Sequence, residues 1–369
     1  MMNYRHLSLL PALLALGLAL AACGDSQSDA SPTPTAAGAT RTFAMGLSSL
    51  PPELTEESYA DAFELAASTG EVILIRHTPP WEGLLSGDLS DDVIQTTQRE
   101  IDLAEEHDLD IFFAIDAMDV SEENGQLAGL PDDLLGAGFA DEELRQALVS
   151  YAQYVALNYQ PAYLALGLDV NGYQGQNPED FEEFVTAYHE AYEAIKELSP
   201  ETLVFPTFQL EELQGLLPLD EPREPQWQLI DRFAPRMDLL AVSSYPGVAF
   251  SDPEEIPPDY YTQLSSHTDR PIAIAEMGYP SEAGEDGQNE GTESQQIAFL
   301  ERALDDAEQL DMPLVVWFAG HDPTFTDEGP FDLVQHIGLL RQDGSKKPAW
   351  AVWSRTARRP LAEAGARAR

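Results

Sequence analysis

The chain has 369 residues, of which 65 are acidic and 19 basic, giving a formal net charge of -46, and it contains one cysteine. Such a charge repels phosphate backbones, so nucleic acid is not an expected partner; it suits a solvated surface in salty surroundings, where screening weakens self-repulsion. A single cysteine leaves no disulfide framework and no cysteine-ligated metal site.

The first residues, "MMNYRHLSLLPALLALGLALAACGD", join a short polar start containing Arg5 to an apolar stretch from Leu7 to Leu20. That stretch is too short for a spanning helix and reads as a secretory signal. It ends in Leu20-Ala21-Ala22-Cys23, which resembles the lipobox of bacterial lipoproteins. The resemblance implies cleavage before Cys23, lipid on its sulfur, and an exported protein anchored on the periplasmic or cell-surface side. Residues 1–22 are thus expected to be a signal peptide. Residues 23–40, small, polar and proline-containing, suit a flexible tether. At the other end, residues 354–369 reverse the local charge through Arg355, Arg358, Arg359, Arg367 and Arg369 and are expected to be a disordered tail.

Between them, residues 41–353 are long enough for one large domain. Apolar runs bounded by turn residues recur as "RTFAMGLSS" (41–49), "EVILIRHT" (71–78), "DIFFAIDA" (110–117) and "AYLALGLDV" (162–170). They continue as "TLVFPTF" (202–208), "DLLAVSSYP" (238–246), "PIAIAEMGYP" (271–280) and "PLVVWFAGHD" (313–322). Helical spacing fills the gaps at 90–107, 141–159, 178–198 and 292–310, the first opening on a Ser-Asp cap signal. Strands apolar on both faces, alternating with amphipathic helices, predict a parallel sheet covered by helices. Eight such units predict a single TIM (β/α)8 barrel, and no Gly-rich dinucleotide or phosphate loop follows the first strand to favour an open sheet.

A TIM barrel works at the C-terminal ends of its strands. There the sequence places His77 and Trp81, Asp116, Asp169 and Asn171, Gln209, Ser244 and Tyr245, Glu276, and Trp317 with His321 and Asp322. Acids and amides bond hydroxyl groups and aromatic rings cover the apolar faces of pyranoses, so the set points to carbohydrate. No metal-type spacing links the histidines and acids, and no metal or cofactor is expected. Trp81 reads as packing or rim, and Asp116 as a partner of backbone or of substrate.

With these residues the chain resembles the clan of retaining glycoside hydrolases with a (β/α)8 barrel, the endo-β-1,4-galactanases and related bacterial glycosidases in particular. "IAEMGYPS" matches the clan's nucleophile at the end of strand seven, which implies that role for Glu276. Tyr245 in "VSSYP" matches a strand-six tyrosine that bonds the nucleophile, Trp317 matches the aromatic floor of the sugar site, and "IGLLRQDGSKKPAW" matches the clan's common ending. Strand four departs: where the clan has Gly-Asn-Glu, this chain has Gly167-Leu168-Asp169. Aspartate withdraws the acid by roughly 1.5 Å, and Asn171, two residues on and on the same side of a continuing strand, is a candidate to replace the missing amide. Retention needs carboxyls about 5–5.5 Å apart and inversion about 6.5–9.5 Å. Asp169 is thus a weakened acid, an inverting partner or a relic. The expected function is a secreted, lipid-anchored glycoside hydrolase acting on a β-linked polysaccharide or oligosaccharide; the alternative is a glycan-binding surface lipoprotein without turnover. A monomer is expected.

Overall fold

The structure, a computed structural model, describes residues 40–119, 125–217, 223–283, 291–325 and 335–362. The expected signal segment, Cys23 and nearly all of the tether lie outside the described residues. Each apolar run holds a strand: Ala44–Ser48, Val72–His77, Asp110–Ile115, Tyr163–Leu166, the pair Leu203–Phe205 and Thr207–Gln209, then Leu240–Ser244, Ile272–Met277 and Leu314–Trp317. All pair in parallel, and the first strand lies beside the last, with Ala44 opposite Leu314.

The fifth position is a strand in two pieces because Pro206 between them has no N–H to give to a ladder. Its first piece pairs with the fourth strand, Tyr163 opposite Leu203, and its second with the sixth, Thr207 opposite Ala241. Both sides of the gap are thereby tied and the ring closes as a TIM barrel. The strands are buried along nearly their whole length, "YLAL" and "IAIAEM" at every residue, as a sheet covered on both faces requires.

The four predicted helices are present as Asp91–Glu106, Glu142–Asn158, Pro178–Leu198 and Glu293–Gln309. Each begins where a short polar side chain accepts a first-turn N–H: Ser90 from Val93, Asp141 from Glu143, Asn177 from Asp180 and Thr292 from Gln295. Pro178–Leu198 shows the packing logic, since Phe181, Phe184, Val185, Tyr188, Ala191 and Ile195 fall on one stripe and are buried. A further helix, Glu56–Thr69, lies in a stretch for which no element is predicted.

Two expectations change. The boundary at 353 falls inside the helix Ala349–Ala357, and the chain stays packed beyond it, with Leu361 bridged to Arg41 and Arg359 ion-paired to Glu308. The expected disordered tail therefore does not begin at 354. The fourth strand also stops early, at Leu166: Gly167 (φ 91°) and Asp169 (φ 46°) turn the chain into a short helix, Val170–Gln176.

Candidate active site

The seventh strand carries a bulge just before its end. Ile274 lies opposite Val242 while Glu276 lies opposite Ser243, so two steps on one strand match one on its neighbour. An extra residue of this kind bends a strand and re-aims the side chains after it. Glu276 is buried, at 5% exposure. The Tyr245 hydroxyl donates to its Oε2 at 3.2 Å, and an Arg76 guanidinium nitrogen stands 3.8 Å from its Oε1. Among the described residues Oε1 accepts no hydrogen bond. Burial pushes the Glu276 carboxyl up to about 7; the Arg76 charge and the Tyr245 donor pull it down, and the Asp169 charge raises it.

Asp169 reaches the same end of the barrel by another route. It is the left-handed residue before the helix Val170–Gln176, a conformation that aspartate tolerates better than longer side chains do. That gives a backbone reason for an aspartate at this position. Its Oδ1 accepts from Ser243 Oγ at 2.5 Å and Thr207 Oγ1 at 3.3 Å, and its N–H donates to Thr207 Oγ1 at 2.9 Å. Burial raises its carboxyl as well, opposed by the Ser243 hydrogen bond and the Arg76 charge. Ser243 is the residue opposite Glu276, so the two carboxyls share a neighbourhood and feel each other's charge.

Arg76, at the end of the second strand, joins the cluster. Its Nε donates to Asp116 Oδ2 at 2.9 Å, and a terminal nitrogen stands 2.8 Å from the same oxygen. Its side chain remains 43% exposed, so the ion pairs form at an open mouth. Asp116 therefore partners Arg76. Glu276 has the arginine contact and the Tyr245 donor, which favour its charged form; at Asp169 the Ser243 and Thr207 hydroxyls and the Arg76 charge also favour the charged form, and desolvation favours the proton.

Other predicted residues go elsewhere. Asn171 lies on the helix and is fully buried, with its Nδ2 on the Gln209 carbonyl (3.0 Å) and its Oδ1 on the Gln209 N–H (2.9 Å). Both ends of its amide are spent on backbone, so it does not replace the missing asparagine. The Gln209 side chain caps the next helix, accepting from Glu212 N–H and donating to Glu211. Trp317 is wholly buried, gives its Nε1–H to the Ile337 carbonyl at 2.8 Å and packs on Phe299 of the helix Glu293–Gln309. It therefore faces the helix layer and does not floor the mouth; Phe318, one residue on, stands edge-to-face with Tyr245 at 6.3 Å. Trp81 is also core, its Nε1–H on the Ala128 carbonyl at 2.7 Å. His77 faces the helices, 2.9 Å from Glu100. Asp322 is buried against Lys347 Nζ at 2.7 Å, and His321 takes no part in the cluster. Among the described residues no group of three His, Cys, Asp or Glu side chains is arranged to hold a metal.

Sequence reasoning chose His77 from the second strand and passed over Arg76. The alternation of a strand held the signal: neighbours face opposite sides, so if His77 points to the helices Arg76 points to the barrel interior. Ser243, Thr207 and Phe318 were invisible because nothing in their local sequence separates them from ordinary strand residues.

No family model matches the chain, and no curated protein matches it in sequence. Solved structures match its fold. A GH5_18 variant from Streptomyces cattleya in complex with Manb1-4GlcNAc aligns at TM-score 0.64 and 16% identity, over 87% of this chain and 81% of that one. A GH5_18 variant from Bifidobacterium longum subsp. longum, in complex with the same disaccharide, aligns at 0.57 and 18%, over 82% and 73%. An exo-beta-1,4-mannosidase from Opitutaceae bacterium strain TAV5 aligns at 0.63 and 16% over 86% of this chain, which spans only 59% of the mannosidase's length. The eight-position parallel barrel is thus the fold of these glycoside hydrolases, and at 16 to 18% identity the likeness is one of fold.

Proposed function

We propose that the chain is a glycoside hydrolase acting on a β-linked polysaccharide or oligosaccharide, with Glu276 as nucleophile and Asp169 as the acid that protonates the leaving oxygen. One observation carries this reading: a buried carboxylate on a bulged strand end, with one oxygen bonded to Tyr245 and the other facing Arg76 without a hydrogen bond from the described residues. The unbonded oxygen is the one free to attack. The arginine and tyrosine stabilise its charge, and desolvation, which raises the Asp169 carboxyl against the pull of its hydroxyl donors, favours the protonated form that an acid needs. The proposed substrate class follows the solved neighbours, so β-1,4-mannosides, mannose β-1,4-linked to N-acetylglucosamine among them, are the first to try.

Aryl β-glycosides with good leaving groups test this assignment, because they need little acid help. Wild type hydrolyses them, Glu276→Ala does not, and Asp169→Ala retains far more activity on them than on unactivated oligosaccharides. The anomeric form of the first product, followed by NMR, separates retention from inversion. Inactivity of the wild type across such a panel would defeat the enzymatic reading.

A second reading, glycan binding without turnover, draws support from the spent amides of Asn171 and Gln209 and from the inward Trp317, which leave the mouth short of the sugar contacts expected of it. Calorimetric binding of oligosaccharides by a protein inactive on every aryl glycoside would establish it. We further propose that the chain is anchored through lipid on Cys23 and works as a monomer. Metabolic labelling with a fatty acid then marks wild type and not Cys23→Ala, and equal labelling of both would remove the anchor.

A further inference from the structure

Another buried carboxylate lies behind the mouth and takes no part in the chemistry above. Glu211 follows the fifth strand, in the short helix Leu210–Leu213, and is fully buried. Its Oε1 accepts the Tyr245 N–H at 2.9 Å, the Ser244 hydroxyl at 3.3 Å and the Tyr260 hydroxyl, while its Oε2 accepts the Gln209 amide. Both oxygens are occupied by protein donors, so Glu211 is not placed to meet substrate. Burial pushes its carboxyl up to about 7 against the pull of those donors. Packing alone does not call for such a group, since an apolar residue of the same size fills space without the desolvation cost of a carboxylate.

The donors suggest what it is for. Strand six ends at Ser244, and the next residue, Tyr245, gives its N–H to Glu211 in place of a neighbouring strand. The same Tyr245 places its hydroxyl on Glu276 Oε2. Ser244 is held too, through Glu211 and through Tyr260 and Tyr261 at 3.2 and 2.8 Å. One carboxylate thus ties the end of strand five to the end of strand six at the residue that touches strand seven.

We propose that Glu211 is a positioning residue for the candidate nucleophile: by fixing the Tyr245 amide, it fixes where the Tyr245 hydroxyl meets Glu276. The consequence for catalysis rests on the glycosidase reading; the geometric coupling does not. Glu211→Met keeps the volume and removes the acceptor, while Glu211→Asp keeps the charge and withdraws it by roughly 1.5 Å.

The direct measurement is the titration of Glu276, isolated by subtracting the carboxyl spectrum of Glu276→Gln from that of each protein labelled with ¹³C-carboxyl glutamate. Loss of a hydrogen bond to a charged group raises proton affinity by about tenfold. Tyr245→Phe is expected to raise the proton affinity of Glu276 by that factor. Glu211→Met is expected to do the same, Glu211→Asp to do so in part, and Glu211→Met in the Tyr245→Phe background to add nothing. If Glu211→Met does not fold, Glu211→Asp carries the same comparison. A Glu276 titration unmoved by the Glu211 variants, with Tyr245→Phe raising it, overturns the proposal, as do independent, multiplying effects in the double variant. Aryl-glycoside kinetics form a separate arm, in which kcat falls and KM holds. A wild type without activity defeats the enzymatic reading and leaves the titration to decide on Glu211.

Discussion

Two buried carboxylates on opposite sides of one barrel wall show how the same group serves different ends. Glu100, on the helix Asp91–Glu106, is 1% exposed and accepts from Tyr59 (2.5 Å), Tyr159 (2.6 Å) and His77 (2.9 Å). Burial and the Glu100 charge raise the pKa of both tyrosines, so they remain protonated donors across the ordinary range. Those three donors come from three other elements, and the carboxylate locks helix to strand to helix. Glu276, at 5% exposure, has among the described residues one side-chain hydrogen bond and an arginine held at ion-pair distance. The fold supplies several donors to the carboxylate that joins its elements and, among the described residues, leaves unpaired at the mouth the oxygen proposed to react.

The largest effect expected from breaking this contrast is on turnover. Glu276→Ala is expected to lower kcat/KM on an aryl β-glycoside by at least about 1,000-fold, while Glu100→Ala in the fraction that folds leaves it within a fewfold. Similar losses in both variants would erase the distinction. Stability should show the reverse. Glu100→Ala leaves two phenols and an imidazole without their common acceptor and is expected to cost about 3–5 kcal/mol in urea unfolding, and Glu100→Gln less. A loss below about 1 kcal/mol for the alanine variant would mean that the lock is not one.

A smaller effect, of opposite sign, is expected at the mouth. The Glu276 carboxyl is raised from an ordinary 4.5 to about 7, so between those values the folded chain binds more protons than the unfolded one. Its contribution to stability is therefore fully present below about pH 4.5 and is lost as pH rises through 7. Above pH 7, Glu276→Gln should stabilise the protein by at most about 3 kcal/mol, and the gain should shrink toward acid pH. A variant less stable than wild type at pH 8 would show that the site stores no such cost. The smallest effect concerns the surface. With a net charge of -46, the thermal midpoint should rise from dilute buffer to molar potassium chloride, and the rise should be similar in the Glu100 and Glu276 variants because neither carboxylate lies on the surface. A flat series would mean that self-repulsion does not limit the fold.

Apolar runs, their spacing and their turn residues determined the eight barrel positions, because a strand buried on both faces and a capped amphipathic helix are local patterns that any tertiary arrangement must respect. Glu276 and Tyr245 were legible for the same reason: the barrel fixes which ends of its strands meet, and both residues sit at such ends. Only the tertiary structure decided the rest. Asn171 and Trp317 depended on where a strand stops and which way its last residue faces. The left-handed turn at Gly167 and Asp169 removed the first from the mouth, and alternation turned the second to the helix layer. Arg76, Ser243, Thr207 and Glu211 gain their roles from residues 34 to 200 positions away in the chain. Such contacts form only once the ring has closed, and no short stretch of sequence records them.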